Sequence, residues 1–464
     1  MVAAFFVATE IAQAADVTFS GQVRTRYEIN EQSDFADASE PQDFTQTRVR
    51  LNANVNINDS TSAFIQMQST RTWGQGLATN SASSGNASFT GSDADASVGI
   101  HEAYFTLKNF AALPVDLKVG RQQVVLDGHR LFGHTGWTVG AQTHDAMRLT
   151  HKHDNTTLQY LWIIANDDGN PANGAPDNLD DVEVHLLHFN QKGMLGGNFS
   201  AIYAWVQDGC PNTTTTTADT GTTLAVVTVS CNNLANDSHT IGFRQAGQLF
   251  GIDYRGEYYH QFGDATDDAV GTLGTPTGDV DRNAHMIGVR LGTSFKSVMM
   301  KPSLTLWYDY LSGTSDADAL NNDYKTFDTL FDTGHKFYGL MDQFVGATGA
   351  GSGQLGLQDI AIKAKISPMA GWTLKADYHW FFTAESVGAN TGIAAGVPLG
   401  TSNDLGTELD MTLIHKYNAN TKIVIGYSNY VTSPGFKIVN ANASGGNEGT
   451  DDANWAYVMF DVKF

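Results

Sequence analysis

The chain has 464 residues, 49 acidic against 27 basic side chains, a formal net charge of −22 and a mean hydropathy of −0.23. That acidity argues against a nucleic-acid partner, and the absence of any run of about 18 apolar residues excludes a helical membrane protein. Neither excludes a membrane crossed by strands: in a transmembrane barrel only alternate residues meet lipid, so mean hydropathy stays modest.

Residues 1–14 read as a secretory signal peptide, with an apolar stretch through Phe5, Phe6 and Val7 leading to the small-x-small site Ala12, Gln13, Ala14. No Lys or Arg precedes that stretch, so the expectation is a signal whose start lies further upstream; an ordinary buried N-terminal helix is the alternative. Residues 15–464 are then expected to form a single barrel domain.

From Val17 the chain alternates. In the first strand Phe19, Val23, Tyr27 and Ile29 fall on one face, and Gln22, Arg24, Arg26 and Glu28 on the other. In the second, Val49, Leu51, Val55 and Ile57 alternate with Arg48, Arg50, Asn52, Asn54 and Asn56. A period of two with one apolar and one charged face describes a strand between lipid and water. The pattern recurs over 61–72, 98–108, 115–123, 143–151, 156–165, 181–190, 197–206, 237–246, 249–262, 283–293, 298–312, 356–366, 371–382, 404–416, 421–431 and 453–464. That makes eighteen strands, mostly of about the 9–11 residues that cross a bilayer when tilted.

The links sort themselves by length. Those at 58–60, 109–114, 152–155, 191–196, 247–248, 294–297, 367–370 and 417–420 are short; the alternating ones, such as 73–97, 124–142 and 313–355, are long. Outer-membrane barrels pair short periplasmic turns with long extracellular loops in this way, and propellers or sandwiches have no cause to. An even strand number puts both ends of the barrel on the periplasmic side. Aromatic residues gather near strand ends: Trp162, Tyr203, Trp205, Tyr258 and Trp380 toward the outside, and Phe19, Trp372 and Phe464 toward the periplasm, as expected of girdles at head-group level. The final strand keeps Ala456, Val458, Phe460, Val462 and Phe464 on one face. Its terminal Phe resembles the signal that barrel-assembly machinery reads.

Much of the acid lies in long links, at Asp93, Asp95, Asp167, Asp168, Asp264, Asp267, Asp268, Asp316, Asp318, Asp451 and Asp452. Such clusters suit Ca²⁺, or divalent bridging to lipopolysaccharide, or simple solvation; none completes a D-x-D-x-D-G loop. Beyond Ca²⁺ no cofactor is implied. Cys210 and Cys231 share one Thr-rich loop, and in an exported protein an even pair so placed predicts a disulfide.

Parity assigns the lumen. Arg24, Arg26, Arg48, Arg50 and Arg148 point inward from early strands. Asp253, Glu257, Asp309, Asp377, Glu408 and Asp410 do so from the second half, with Arg244, Arg255, Arg290 and Lys375 mixed among them. Guanidinium groups bind carboxylate and phosphate bidentately, so an anion path is one reading. The other is that these charges pair with one another across strands and stiffen the wall.

Several stretches carry a resemblance. Leu117-Lys-Val-Gly-Arg-Gln122, Gly128-His-Arg-Leu-Phe-Gly133, Trp137, Asp145-Ala-Met-Arg-Leu149, Tyr308-Asp-Tyr-Leu-Ser-Gly313, Thr326-Phe-Asp-Thr-Leu-Phe331, His335, Tyr338-Gly339, Leu405-Gly-Thr-Glu-Leu-Asp410 and Gly426-Tyr-Ser428 together resemble the alginate-export porin family. The resemblance implies an eighteen-stranded outer-membrane barrel with an Arg-lined lumen, moving an acidic uronate polysaccharide by diffusion. It makes Arg24, Arg48, Arg130, Arg148 and Asp309 candidate constriction residues. With every periplasmic turn short, a plug is expected from an extracellular loop, 313–355 first.

The leading reading is thus a channel for anionic solutes in the outer membrane, among lipid and lipopolysaccharide. A general or nutrient-uptake porin with a transverse charge field is the alternative within the architecture, and a structural or adhesive barrel the alternative outside it. No G-x-S-x-G occurs, and His151 and His153 lack a third ligand nearby, so no catalytic or metal constellation points to an enzyme.

Overall fold

Alternation of apolar and polar residues builds a closed antiparallel β-barrel of eighteen strands in the computed structural model, which describes residues 16–31, 41–73, 98–166, 182–208, 212–216, 227–231, 236–265, 280–319, 321–344, 352–386, 402–443 and 451–464. The strands are β1 Asp16–Glu31, β2 Gln42–Asn56, β3 Thr61–Thr72, β4 Gly99–Leu107, β5 Val115–Gln122, β6 His144–His153, β7 Thr156–Asn166, β8 Val182–Met194 and β9 Gly197–Asp208. They continue as β10 Asn236–Leu249, β11 Ile252–Ala265, β12 Val280–Ser294, β13 Ser303–Leu311, β14 Leu357–Ile366, β15 Trp372–Phe382, β16 Asp404–Lys416, β17 Thr421–Val431 and β18 Ala453–Lys463. Each pairs with its sequence neighbour, and β18 returns to β1 with Arg24 opposite Asp461 and Val23 opposite Val462. Closure leaves no strand edge bare, the condition for a sheet in lipid.

The faces follow the parity of the sequence. On β1, Phe19 (70% exposed), Val23, Tyr27 and Ile29 look outward, while Arg24, Arg26 and Glu28 are buried within the barrel. On β18, Phe460, Val462 and Phe464 are exposed, and Trp455, Tyr457, Met459 and Asp461 are buried. An outward apolar wall over an inward polar one is the arrangement lipid selects.

Four features differ from the sequence expectation. The β10–β11 turn falls at Phe250 and Gly251 rather than at 247–248, since Gly247 and Gln248 pair with Tyr254 and Asp253. β13 begins at Ser303 rather than 298, because Met300 and Lys301 take positive φ and the apolar run Val298 to Met300 forms a turn. The links carry small elements of their own: a hairpin of Asn212–Thr216 with Val227–Cys231, a short strand Asp323–Tyr324 parallel to β12, and a helix Pro434–Ala443 (α1) whose Phe436 packs on Tyr430 with ring centroids 5.0 Å apart. Finally, the expected β13–β14 loop (described over 312–319, 321–344 and 352–356) is joined in the lumen by a second, the β5–β6 loop (123–143), and the two meet in a parallel bridge between Phe132 and Phe331.

Those loops have an apolar seat. Leu161 and Ile163 of β7, Val184 and Leu186 of β8, and Ile202 and Ala204 of β9 face inward and are buried in one cluster with Leu131, Phe132, Phe327 and Phe337. The signal peptide expected at 1–14, Cys210 and the side chain of Cys231, and the acids Asp93, Asp95, Asp167, Asp168, Asp267, Asp268 and the side chain of Asp316 lie outside what is described.

Candidate functional site

A loop folded into a barrel cannot use a sheet ladder, so its peptide groups must find other partners or remain unsatisfied at a cost of about 1–3 kcal/mol each. Charged wall side chains supply them here. Arg24 and Arg48 stand directly opposite in register, a like-charge pairing that is unfavourable alone. Loop carbonyls offset it. Arg24 Nη1 donates to Gly136 O (2.6 Å), and its Nη2 to Trp137 O (2.9 Å) and Thr138 O (3.0 Å). Arg48 Nη1 reaches the Gly136 and Thr138 carbonyls at 3.3 and 3.2 Å, and Arg26 Nη1 the Trp137 carbonyl at 2.7 Å. The Trp137 ring takes the Arg26 guanidinium at 3.8 Å and stacks on His335 at 4.0 Å, which ties one loop to the other.

The opposite sign of wall charge meets the opposite end of the peptide dipole. Glu408 Oε1 accepts the Leu340 and Met341 amides at 2.6 and 2.9 Å, and Asp410 Oδ2 the Leu340 amide at 3.3 Å. Gly339 makes this possible: its φ is +85° and a Cβ there would collide with the Glu408 carboxylate.

Arg130 is the deepest anchor. It is 1% exposed and donates from Nε to Glu257 Oε1 (3.1 Å), from Nη2 to Asp309 Oδ2 (2.6 Å) and from Nη1 to Tyr338 Oη (2.7 Å). Arg255 completes the network, 3.4 Å from Asp309 and 3.5 Å from Glu257, and Trp307 Nε1 donates to Asp309 at 2.8 Å. One loop arginine thereby locks to two strands and to the second loop. Between the loops, Phe331 N donates to Leu131 O (2.9 Å), Gly133 N to Phe331 O (2.8 Å) and Thr333 N to His129 O (3.1 Å).

Beside this joint lies a cavity of about 530 Å³ that runs toward the periplasmic end. Its wall carries Arg24, Arg48, Arg50, Lys422 and Lys463 against a single acid, Asp461, 3.8 Å from Lys422. Arg50 donates to Gln68 Oε1 at 2.6 Å and lies 3.0 Å from His101 Nε2, and Arg48 Nε is buried without a partner. Among the described residues none of Arg24, Arg48 and Arg50 forms an ion pair.

The residues singled out by sequence thus separate into groups. Arg24, Arg48 and Arg50 border the cavity; Arg26 pairs with Glu28 at 2.6 Å and holds Trp137. Arg130, Arg255, Glu257 and Asp309 neutralise one another, and Glu408 and Asp410 hold loop amides. Asp377 pairs with Lys363 at 3.2 Å, Asp253 accepts from Gln248 at 3.2 Å, and Arg148 stands opposite Lys118. Sequence reasoning missed Trp137, His335 and Tyr338 as anchors and the β5–β6 loop as half of the plug. A signal existed. Residues 160–164 read Tyr-Leu-Trp-Ile-Ile, apolar on both faces, which a strand adopts only when its inner face is not wetted. Among the described residues no group of three or more His, Cys, Asp or Glu is arranged to hold a metal ion.

A family model described as alginate export matches residues 15–447. No curated protein matches the chain. The barrel is similar to two solved Acinetobacter baumannii structures. For OccAB1 the identity is 13% over 97% of this chain and 96% of that one, with TM-score 0.56. For OccAB4 it is 11% over 98% and 100%, with TM-score 0.55. OccK11 (OpdR) of Pseudomonas aeruginosa gives 12% over 97% and 96%, with TM-score 0.51. At such identities the likeness concerns the fold.

Two predictions follow from the loop anchors. Arg130→Ala removes the donor to Glu257, Asp309 and Tyr338, leaving Arg255 near both carboxylates and Arg244 3.5 Å from Glu257, and is expected to cost about 3–5 kcal/mol, read as a lowered denaturant midpoint, with larger and noisier single-channel conductance as the loops loosen. The second concerns pH. Burial pushes the Asp332 carboxyl, in the β13–β14 loop, from an ordinary 3.8 to about 7, against the pull of Arg130 and with Asp328 and Asp342 adding to it. A raised folded-state value means that the seated loop binds a proton which the released loop does not. The contribution is complete below the ordinary value and is lost as pH rises through about 7. Protease cleavage of the loop should therefore be slower at pH 5 than at pH 8, and Asp332→Asn should flatten the dependence.

Proposed function

We propose, from the premise that this chain belongs to the alginate export family, that its lumen passes anionic solutes along the arginine wall, an acidic polysaccharide of the alginate type among them. Family and barrel make the protein a bacterial outer-membrane channel rather than an enzyme. The finer reading rests on one observation: a cavity open toward the periplasmic end carries three arginines without ion-pair partners among the described residues. The cavity lining sets Arg24, Arg48, Arg50, Lys422 and Lys463 against Asp461, so the field there is positive where a carboxylate would approach.

Assembly and surroundings are read in the same way. The β18 strand ending on exposed Phe464 is the segment offered to barrel-assembly machinery. Acidic extracellular strand ends such as Asp264, Asp281, Asp451 and Asp452 are offered to lipopolysaccharide, directly or through Ca²⁺.

The test is reversal potential under a salt gradient in a planar bilayer. Anion preference is expected, with block by added uronate oligomers. Arg50 contacts Gln68 and His101 rather than a loop, so Arg50→Gln changes cavity charge while sparing the plug; a severalfold fall in anion preference without a change in open-state noise is predicted. Cation preference with no block would favour a porin for small solutes, and absence of conductance a structural barrel.

A further inference from the structure

The described periplasmic turns are not alike. Those between β2 and β3 (Asn58, Asp59, Ser60) and β6 and β7 (Asp154, Asn155) are exposed and polar, that between β16 and β17 (Asn418, Ala419, Asn420) is mostly polar beside exposed Tyr417, and that between β4 and β5 exposes Phe110 and Leu113. Four consecutive turns on the β8 to β15 side expose apolar side chains: Leu195 at 62%, Phe250 at 101%, Met299 at 81% and Met369 at 62%. Water should have removed these residues from turn tips, where Gly, Asn and Asp serve better. The β12–β13 turn is the largest of the four. Val298, Met299 and Met300 are all exposed, and Lys296 and Lys301 flank them.

That turn is held rather than loose. Phe295 N donates to Pro302 O at 2.8 Å, Val298 N to Phe295 O at 3.1 Å and Lys301 N to Val298 O at 2.9 Å. Ser367 N of the adjacent turn donates to Met300 O at 2.6 Å, joining the two turns into one surface. The apolar tips adjoin the lipid-facing wall, since Ile252, Leu291 and Leu304 just inside the strands are also exposed. We propose that the β8 to β15 side of the periplasmic rim is a lipid-docking surface, whose apolar turns enter the inner leaflet while Lys296 and Lys301 engage phosphate-bearing anionic head groups.

The chemistry selects this occupant. Apolar tips between cations match a leaflet boundary, where chains lie beside phosphates and long lysine stems keep the ammonium at the interface. A lysine near an anionic surface is drawn to it, and burying apolar side chains adds to that attraction. The barrel would then sit deeper on this side than on the β16 to β3 side, where the turns are mostly polar.

The test uses the full chain in vesicles, with Cys210→Ser and Cys231→Ser to clear native thiols and heat-modifiable mobility to verify folding. Spin labels are placed through Met299→Cys, Phe250→Cys and, as the polar control, Asp59→Cys, and collision with oxygen is compared with collision with a water-soluble nickel chelate. The oxygen-to-nickel ratio at 299 and 250 is expected to be severalfold above that at 59. At 299 it should rise further when phosphatidylglycerol is added to phosphatidylcholine, a rise that Lys296→Gln with Lys301→Gln abolishes. Nickel accessibility at 299 and 250 equal to that at 59 would overturn the proposal and leave the surface free for a periplasmic protein. A ratio indifferent to anionic lipid would overturn the head-group part.

Discussion

Opposite ends of the peptide dipole meet opposite charges on the barrel wall, and the rest of the lumen depends on that match. Arg24, Arg26 and Arg48 take carbonyls of one loop, and Glu408 and Asp410 take amides of the other. Charge-assisted bonds of this kind are about twice as strong as neutral ones, and inside a barrel they replace the ladder that an inserted loop gives up. Arginine then serves twice. The same guanidinium groups that fasten the loop leave positive charge on the cavity, because carbonyl dipoles satisfy donors without cancelling charge.

The Arg130 network works by another principle. Arg130 and Arg255, with Arg244 3.5 Å from Glu257, meet Glu257 and Asp309 in nearly complete burial. Such networks add little net stability over apolar packing but make any other arrangement costly, because a lone buried charge has nowhere to go. Its consequence here is placement. The loop joint is displaced toward the apolar seat of β7 to β9, and the cavity lies on the arginine side. Packing decides where the plug rests, and the ion network decides that it rests in one way.

The barrel was legible in the sequence because a period of two survives in single strands and link lengths are visible without coordinates. Parity placed Arg24, Arg26, Arg48, Glu257, Asp309 and Glu408 on the inner face, where they stand. Partners were not legible. Arg130 meets Glu257 and Asp309 across 127 and 179 residues, and no local pattern encodes contacts of that range. The start of β13 was misread because exposed apolar residues at 298–300 extend the strand pattern into a turn. Of the stretches that carry the family resemblance, 128–133, 137, 326–331, 335 and 338–339 lie in the two lumen loops, and 117–122, 145–149, 308–313, 405–410 and 426–428 lie mainly on the strands around them.

Amide hydrogen exchange on the folded protein tests the loop joint most directly. Gly133, Phe331, Thr333, Leu340 and Met341 donate their amides to the partner loop or to the wall. Peptides spanning 129–138 and 329–342 should therefore exchange as slowly as the barrel strands, and Glu408→Ala should release the second more than the first. Exchange of both at the rate of free surface loops would contradict the account, because the wall charges would then have nothing to hold.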